Sequence, residues 1–136
     1  MTAYVDSSVL LRVVLGQPDR LSSWTAITKP VSSVLIRLEC LRTIDRARLR
    51  LALADDQVAA HRSAILEQLE AFDLAHLDGS VLDRAADPFP TALGSLDALH
   101  LATALALREG SPDLPLATHD SELARAARSI GFRLLD

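Results

Sequence analysis

Short β-prone runs alternate with helical segments along nearly the whole chain, and that alternation limits the possible folds more than any other feature. Thr2 to Val5 is the first such run and leads into Asp6. Ser7 to Leu15 follows with Val9, Leu10, Val13 and Val14 at helical spacing, and Gly16 ends it. Pro18 opens a second short helix carrying Leu21, Trp24 and Ile27. Pro30 to Ser33 reads as a strand and about Val34 to Arg48 as a helix. Asp55 or Asp56 caps a longer helix through Ala71, burying Val58, Ile65 and Leu69. Phe72 to Leu77 is a strand, Gly79 to Ala86 a short helix, and Asp87-Pro88-Phe89-Pro90-Thr91 the clearest loop. Leu96 to Leu107 is apolar almost all round, as in a helix buried on most sides, with Ser95 as its expected cap. A turn from Gly110 to Pro115, a strand at Leu116 to Thr118, a helix from Ser121 to Ile130 and a last strand at Phe132 to Leu135 complete the chain. Strands separated by helices pair in parallel through right-handed crossovers. The expected fold is therefore α/β, a small parallel sheet flanked by helices.

Length and composition narrow the class. The 136 residues fit a single domain, 1–136, and an apolar content of 49% supplies a core without help from cross-links. The single Cys excludes an intrachain disulfide and a cysteine-based zinc site. No apolar run approaches the roughly 18 residues of a membrane span, and Met1 to Tyr4 has no basic region of the kind that opens a signal peptide. The expectation is a soluble, cytoplasmic protein. A net charge of -4 speaks against a generic nucleic-acid coat, which works by neutralising phosphates. Lys29 is the only lysine, every other basic side chain being arginine; codon bias in a GC-rich genome and a use for arginine's planar fork both account for that.

Four acids fall at informative places. In an open parallel sheet, ligands bind beyond the carboxyl ends of the strands. Asp6 follows the first strand, Asp120 lies just past the fourth, Asp97 opens the most apolar helix, and Glu39 sits within the helix after the second strand. Each has an ordinary role open to it. Asp6 and Asp120 suit helix N-caps, Asp97 suits the first-turn dipole, and Glu39 has Arg42 three residues on as an ion-pair partner. Together they read differently. Asp97, His100 and Thr103 form a polar row on an otherwise apolar helix. Acids converging on neighbouring strand ends raise one another's pKa unless cations neutralise them. Oxygen-only donors favour magnesium or manganese over zinc, and phosphoryl transfer is the chemistry that uses such ions.

The ordered set of residues resembles a known family. Tyr4-Val5-Asp6-Ser7-Ser8-Val9-Leu10-Leu11, Glu39 in an apolar helix, Leu96-Asp97-Ala98-Leu99-His100-Leu101-Ala102-Thr103-Ala104 and Ala117-Thr118-His119-Asp120, followed by Leu123-Ala124 and Gly131-Phe132, look like PIN-domain proteins. They look most like the VapC toxins of bacterial toxin–antitoxin pairs. The resemblance spans essentially the whole chain and implies a three-layer PIN-like sandwich. It also implies a hydrolase, a metal-dependent endoribonuclease in which Asp6, Glu39, Asp97 and Asp120 hold Mg²⁺ or Mn²⁺, with Ser8 and Thr118 as supporting hydroxyls. In the implied mechanism a metal-activated water attacks the phosphodiester in line. Asp6, Asp97 and Glu39 are the main ligands, and Asp120 binds a second ion or positions the water. Arg12 or Arg42 is expected to hold substrate phosphate, and His100 to be a partner of the ligands rather than a ligand. His119 is expected to be an exposed neighbour of Asp120, and Trp24 a core residue. The family implies an RNA substrate, a homodimer and a VapB-like antitoxin, which the segments Leu10 to Leu15 and Ile36 to Leu51 would meet with apolar surface; those segments also read as ordinary core faces.

Other readings fare worse. A haloacid-dehalogenase-like phosphatase needs a second Asp where Ser8 stands, and a receiver domain needs a lysine at a late strand end, where Lys29 is too early. A nucleophile elbow, a P-loop and an H-E-x-x-H helix are absent. The alternative of a different class is a catalytically silent PIN-like module that binds RNA or protein.

Overall fold

The computed structural model describes all 136 residues. The elements are β1 (Thr2–Val5), α1 (Ser7–Val14), a 3₁₀ turn (Trp24–Ala26), β2 (Lys29–Ser33), α2 (Leu35–Leu51), α3 (Asp55–Leu69), β3 (Asp73–Ala75), α4 (Gly79–Ala86), α5 (Ser95–Gly110), β4 (Leu116–Ala117) and α6 (Ser121–Ser129). The four strands form one sheet in the order β3-β2-β1-β4, and every pairing is parallel. The α/β class and the flanked parallel sheet are as expected.

Alternation along β1 divides the core. Tyr4 packs with Leu101 and Ala104 of α5 and Leu123, Ala126 and Ala127 of α6. Ala3 and Val5 pack with Val9 and Leu21 on the opposite face. Farther out on that face, Leu10, Ile36, Cys40, Ile44, Ile65 and Leu69 join α1, α2 and α3. A sheet covered on both sides needs side chains that can be buried on both faces, and Ala3, Tyr4 and Val5 are all fully buried.

Two glycines end helices in the left-handed conformation that the turn demands. Gly16 has φ +63° and lets Gln17 N–H reach the Arg12 carbonyl at 3.0 Å. Gly131 has φ +86° and lets Phe132 N–H reach the Ala127 carbonyl at 3.0 Å, turning the chain back over the core.

Several local expectations need correction. No helix runs from Pro18 to Ile27; only the 3₁₀ turn forms, although Leu21 is buried. Short polar side chains there bond elsewhere: Asp19 pairs with Arg12, and the Ser22 hydroxyl donates to the Asp136 carbonyl at 2.7 Å. Phe132 to Leu135 is not a strand but a single bridge, Leu116 to Leu134. The third strand covers only Asp73–Ala75. Gly94, not Ser95, is the N-cap of α5, and Ala54, not an aspartate, that of α3, its N–H bonded to Gln57 Oε1 at 3.1 Å. The second long helix runs on to Leu51 and stops at Ala52, which takes left-handed angles of φ 49° and ψ 46°.

Candidate active site

The chain runs from β1 outward through β2 to β3, then returns to place β4 on the other side of β1. The direction of winding therefore reverses between β1 and β4, and it is beyond the carboxyl ends at such a reversal that ligands bind in open parallel sheets. Asp6 follows β1 there, and Thr118, His119 and Asp120 follow β4.

Asp6 is buried and caps α1. Its Oδ1 accepts the Ser7 N–H at 2.7 Å, and its Oδ2 accepts the Ser8 hydroxyl at 2.6 Å and the Thr118 hydroxyl at 2.8 Å. Each hydroxyl also accepts a backbone proton from the loop after β4. Ser8 Oγ takes the His119 N–H at 2.9 Å, and Thr118 Oγ1 takes the Asp120 N–H at 3.0 Å. Ser8 and Thr118 thus tie the ends of β1 and β4 to one carboxylate.

Glu39 lies in the second turn of α2 and is half-buried. Arg42 does not pair with it; Arg42 bonds Asp45 at 3.1 Å instead. The partner of Glu39 Oε1 is Nε2 of His100, which is fully buried on α5. The other ring nitrogen, Nδ1, meets the Tyr4 hydroxyl at 2.7 Å, and Nε2 also lies 4.0 Å from Asp6 Oδ1. Burial alone would lower the His100 pKa. The hydrogen bond to Glu39 and the charges of Glu39, Asp6 and Asp97 outweigh it, so the net shift is upward.

Asp97 stands one turn before His100 on the same face of α5. Burial, then the charges of Asp120 and Asp6, push its carboxyl up to about 6; His100 opposes the rise and Glu39 adds to it. Asp120 is exposed and caps α6, its Oδ1 accepting Glu122 N–H at 2.8 Å and Leu123 N–H at 3.0 Å. Asp97 thus lies within electrostatic reach of the other three acids. No arginine or lysine pairs with any of the four; His100 is the one basic side chain that does.

The remaining residues singled out in the sequence are placed as follows. Arg12 pairs with Asp19 at 2.5 Å and Arg42 with Asp45 at 3.1 Å. His119 is half-buried rather than exposed, and burial, then Arg12, lowers its pKa. Trp24 packs against the core as expected. Phe89 packs under the Arg84 guanidinium at 4.1 Å. A cleft of about 640 Å³ between α4 and α5, lined by Ser80, Arg84, Ala102, Arg108 and Glu109, contains none of the four acids and lies apart from this chemistry. The sequence reading did not assign a role to Tyr4. The signal was there in the strand alternation, which turns Tyr4 toward α5 and away from Ala3 and Val5.

Known proteins are similar to this chain in sequence and in fold. The PIN domain family model matches residues 3–129. Ribonuclease VapC46 of Mycobacterium tuberculosis is 35% identical over 136 residues, covering 97% of this chain and 95% of that protein. Ribonuclease VapC35 of the same species is 28% identical over 138 residues, covering 97% and 94%. Among solved structures, a toxin–antitoxin complex from Klebsiella pneumoniae superposes with a TM-score of 0.69 at 15% identity, over 98% of this chain and 96% of that one. VapBC2 of Rickettsia felis, bound to a DNA fragment from its promoter, gives 0.68 at 12% identity, over 98% and 97%. With a family model over nearly its full length and a close relative of the same extent, the chain belongs to the PIN-domain family, on its VapC branch.

Proposed function

We propose that this protein is a divalent-metal-dependent endoribonuclease, a cytoplasmic hydrolase that serves as the toxin of a VapBC-type pair, with residues 1–136 acting as one PIN-like domain. The observation that carries the reading is that Asp97 feels the charges of Asp6, Glu39 and Asp120 while no arginine or lysine pairs with any of the four. The naming of two relatives as ribonucleases supports RNA as the substrate. The toxin–antitoxin assemblies among the structural neighbours support a VapB-like antitoxin and a homodimer.

The donor set suits Mg²⁺ or Mn²⁺, being oxygen only and carrying excess negative charge. The side chains do not by themselves close a cage of three donors. Magnesium does not need one, since it ordinarily takes one or two carboxylates and completes its shell with water and substrate phosphate. When bound, such an ion lowers the pKa of a water and offsets charge at the phosphate. Asp6, Asp97 and Glu39 would hold it, and Asp120, whose Oδ2 is not used in capping, would hold a second ion or orient the water. Ser8 and Thr118 fix the Asp6 carboxylate.

Substrate phosphate has a path along α2. Thr43, Arg46 and Arg50 share the Glu39 row of the helix, and the contacts show it: Thr43 Oγ1 bonds the Glu39 carbonyl at 2.8 Å, and Arg46 Nη2 bonds Thr43 Oγ1 at 3.1 Å. The row leads away from the acids for about 16 Å at the helical rise. For the antitoxin, Leu10 to Leu15 is mostly taken up by the core, but α2 leaves Leu38 and Leu49 exposed by 55% and 72% on one row.

The test is cleavage of labelled RNA with Mg²⁺ or Mn²⁺, beside an Asp6→Asn variant and an EDTA control. Cleavage by the parent alone is expected. Equal cleavage in all three overturns the metal-nuclease reading, and no cleavage with any divalent ion in antitoxin-free protein favours the silent binding module.

A further inference from the structure

A tyrosine and a histidine with no exposed surface lie end to end beneath the acid cluster. A hydrocarbon pair of the same volume would fill that space without giving up any hydration, so the polar pair is costly unless fully bonded. It is fully bonded, and in one direction. The Ser33 backbone N–H reaches the Tyr4 hydroxyl oxygen at 3.3 Å and can only donate. Glu39 as a carboxylate can only accept, so the nitrogen facing its Oε1, Nε2, carries an N–H. In the neutral ring Nδ1 is then the acceptor, and the Tyr4 hydroxyl donates to it at 2.7 Å while accepting from Ser33. A protonated ring also presents N–H at Nε2. In either state the group facing Glu39 is a donor, so the arrangement does not depend on titration.

Resting on the metal-nuclease reading above, we propose that His100, held by Tyr4, is the positioning residue for Glu39: the relay from the β2 backbone claims one oxygen of that carboxylate and leaves the other to bind a cation. Oε2 has no hydrogen-bond partner within the protein, whereas Oε1 is committed to Nε2. The same Nε2 lies 4.0 Å from Asp6 Oδ1, so one ring sets the spacing between a carboxylate from β1 and one from α2. Neighbours of this kind fix a ligand's orientation, and losing one ordinarily lowers metal affinity or activity 10- to 100-fold. Glu39 sits on a long side chain at the edge of solvent and has no other hydrogen bond to hold it, so its dependence on His100 is at the upper end of what such a contact can impose.

The experiment measures Mn²⁺ affinity by electron paramagnetic resonance of the free ion, together with kcat and KM on RNA, for four full-length variants whose folding is checked by thermal melting. His100→Leu keeps the volume and removes the donor; Mn²⁺ affinity is expected to fall on the order of 10- to 100-fold, with kcat lowered and KM for RNA little changed. Tyr4→Phe frees the imidazole to take either tautomer and is expected to lower affinity about 5-fold. His100→Gln returns an N–H donor near Nε2 and is expected to stay within about 3-fold of the parent. Glu39→Gln is the control for the ligand itself. If Glu39→Gln loses affinity while His100→Leu and Tyr4→Phe bind as the parent does, the relay is overturned and the nuclease reading stands. If Glu39→Gln also binds as the parent does, the ligand set is overturned and the relay with it. Should His100→Leu fail to fold, Tyr4→Phe decides by the same criterion.

Discussion

Asp97 holds a charge that the fold disfavours. Burial, then the neighbouring Asp120 and Asp6, raise its carboxyl to about 6, against 3.8 for a free aspartate. The folded form thus keeps the proton more tightly than the unfolded chain does, so Asp97 favours folding at low pH. That contribution is lost as the pH rises through the window from about 4 to 6. The loss is about 1 kcal/mol once solvent screening of this half-buried group is allowed for. In EDTA at pH 8, Asp97→Asn should therefore melt about 3 °C above the parent, and the gap should close near pH 4. Mg²⁺ should raise the parent at pH 8 and leave the variant nearly unmoved. A variant no more stable than the parent at pH 8 would show that Asp97 is not under electrostatic strain. Asp6, Asp97 and Asp120 were legible because strand ends and helix starts can be read locally. For Tyr4 the alternation gives only the face it turns to; its pairing with His100 is not legible, because the nitrogen its hydroxyl meets is 96 residues away and no local pattern records it.

At the scale of elements, legibility followed the strength of the stop signal. The helices ended by Gly16 and Gly131 were read to within a residue or so, since glycine takes left-handed angles at little cost. The helix through Glu39 was read too short because its stop, Ala52, gives no such signal, yet it adopts φ 49°. A Cβ in that conformation costs roughly 1 kcal/mol. Ala52→Gly should accordingly raise the melting temperature by about 3 °C, read by thermal unfolding, whereas an unchanged or lower value would mean that unfolded-state entropy offsets the relief. The short second helix and the last strand failed for a different reason. Their apolar residues do pack, but Asp19 and Ser22 bond outside their own segment, and only Leu134 of the final run finds a bridge partner on β4. Burial pattern was legible there, and backbone geometry was not.

For the whole molecule, a net charge of -4 conceals a division of sign. Asp97 has the other three acids within reach, while α2 carries Arg46 and Arg50 along the row that starts at Glu39. A polyanion can then be held on the arginines with its scissile phosphate over the acids. Arg46→Ala and Arg50→Ala should each raise KM for RNA several-fold, leave kcat within about twofold, and reduce the salt dependence of binding by about one ion. Binding measured across a salt series checks this, and an unchanged slope in both variants would place the substrate elsewhere. The two hydroxyls that bridge Asp6 to the loop after β4 have a last consequence, in the order of synthesis. Thr118 stands 112 residues after Asp6, so a nascent chain carries its first carboxylate through all of that synthesis before the second hydroxyl that orients it exists. Folding of the α1–α3 half can go ahead of that point, but the centre cannot assemble. A centre that draws on both β1 and the loop after β4 is thereby completed only long after the strand it begins from has been made.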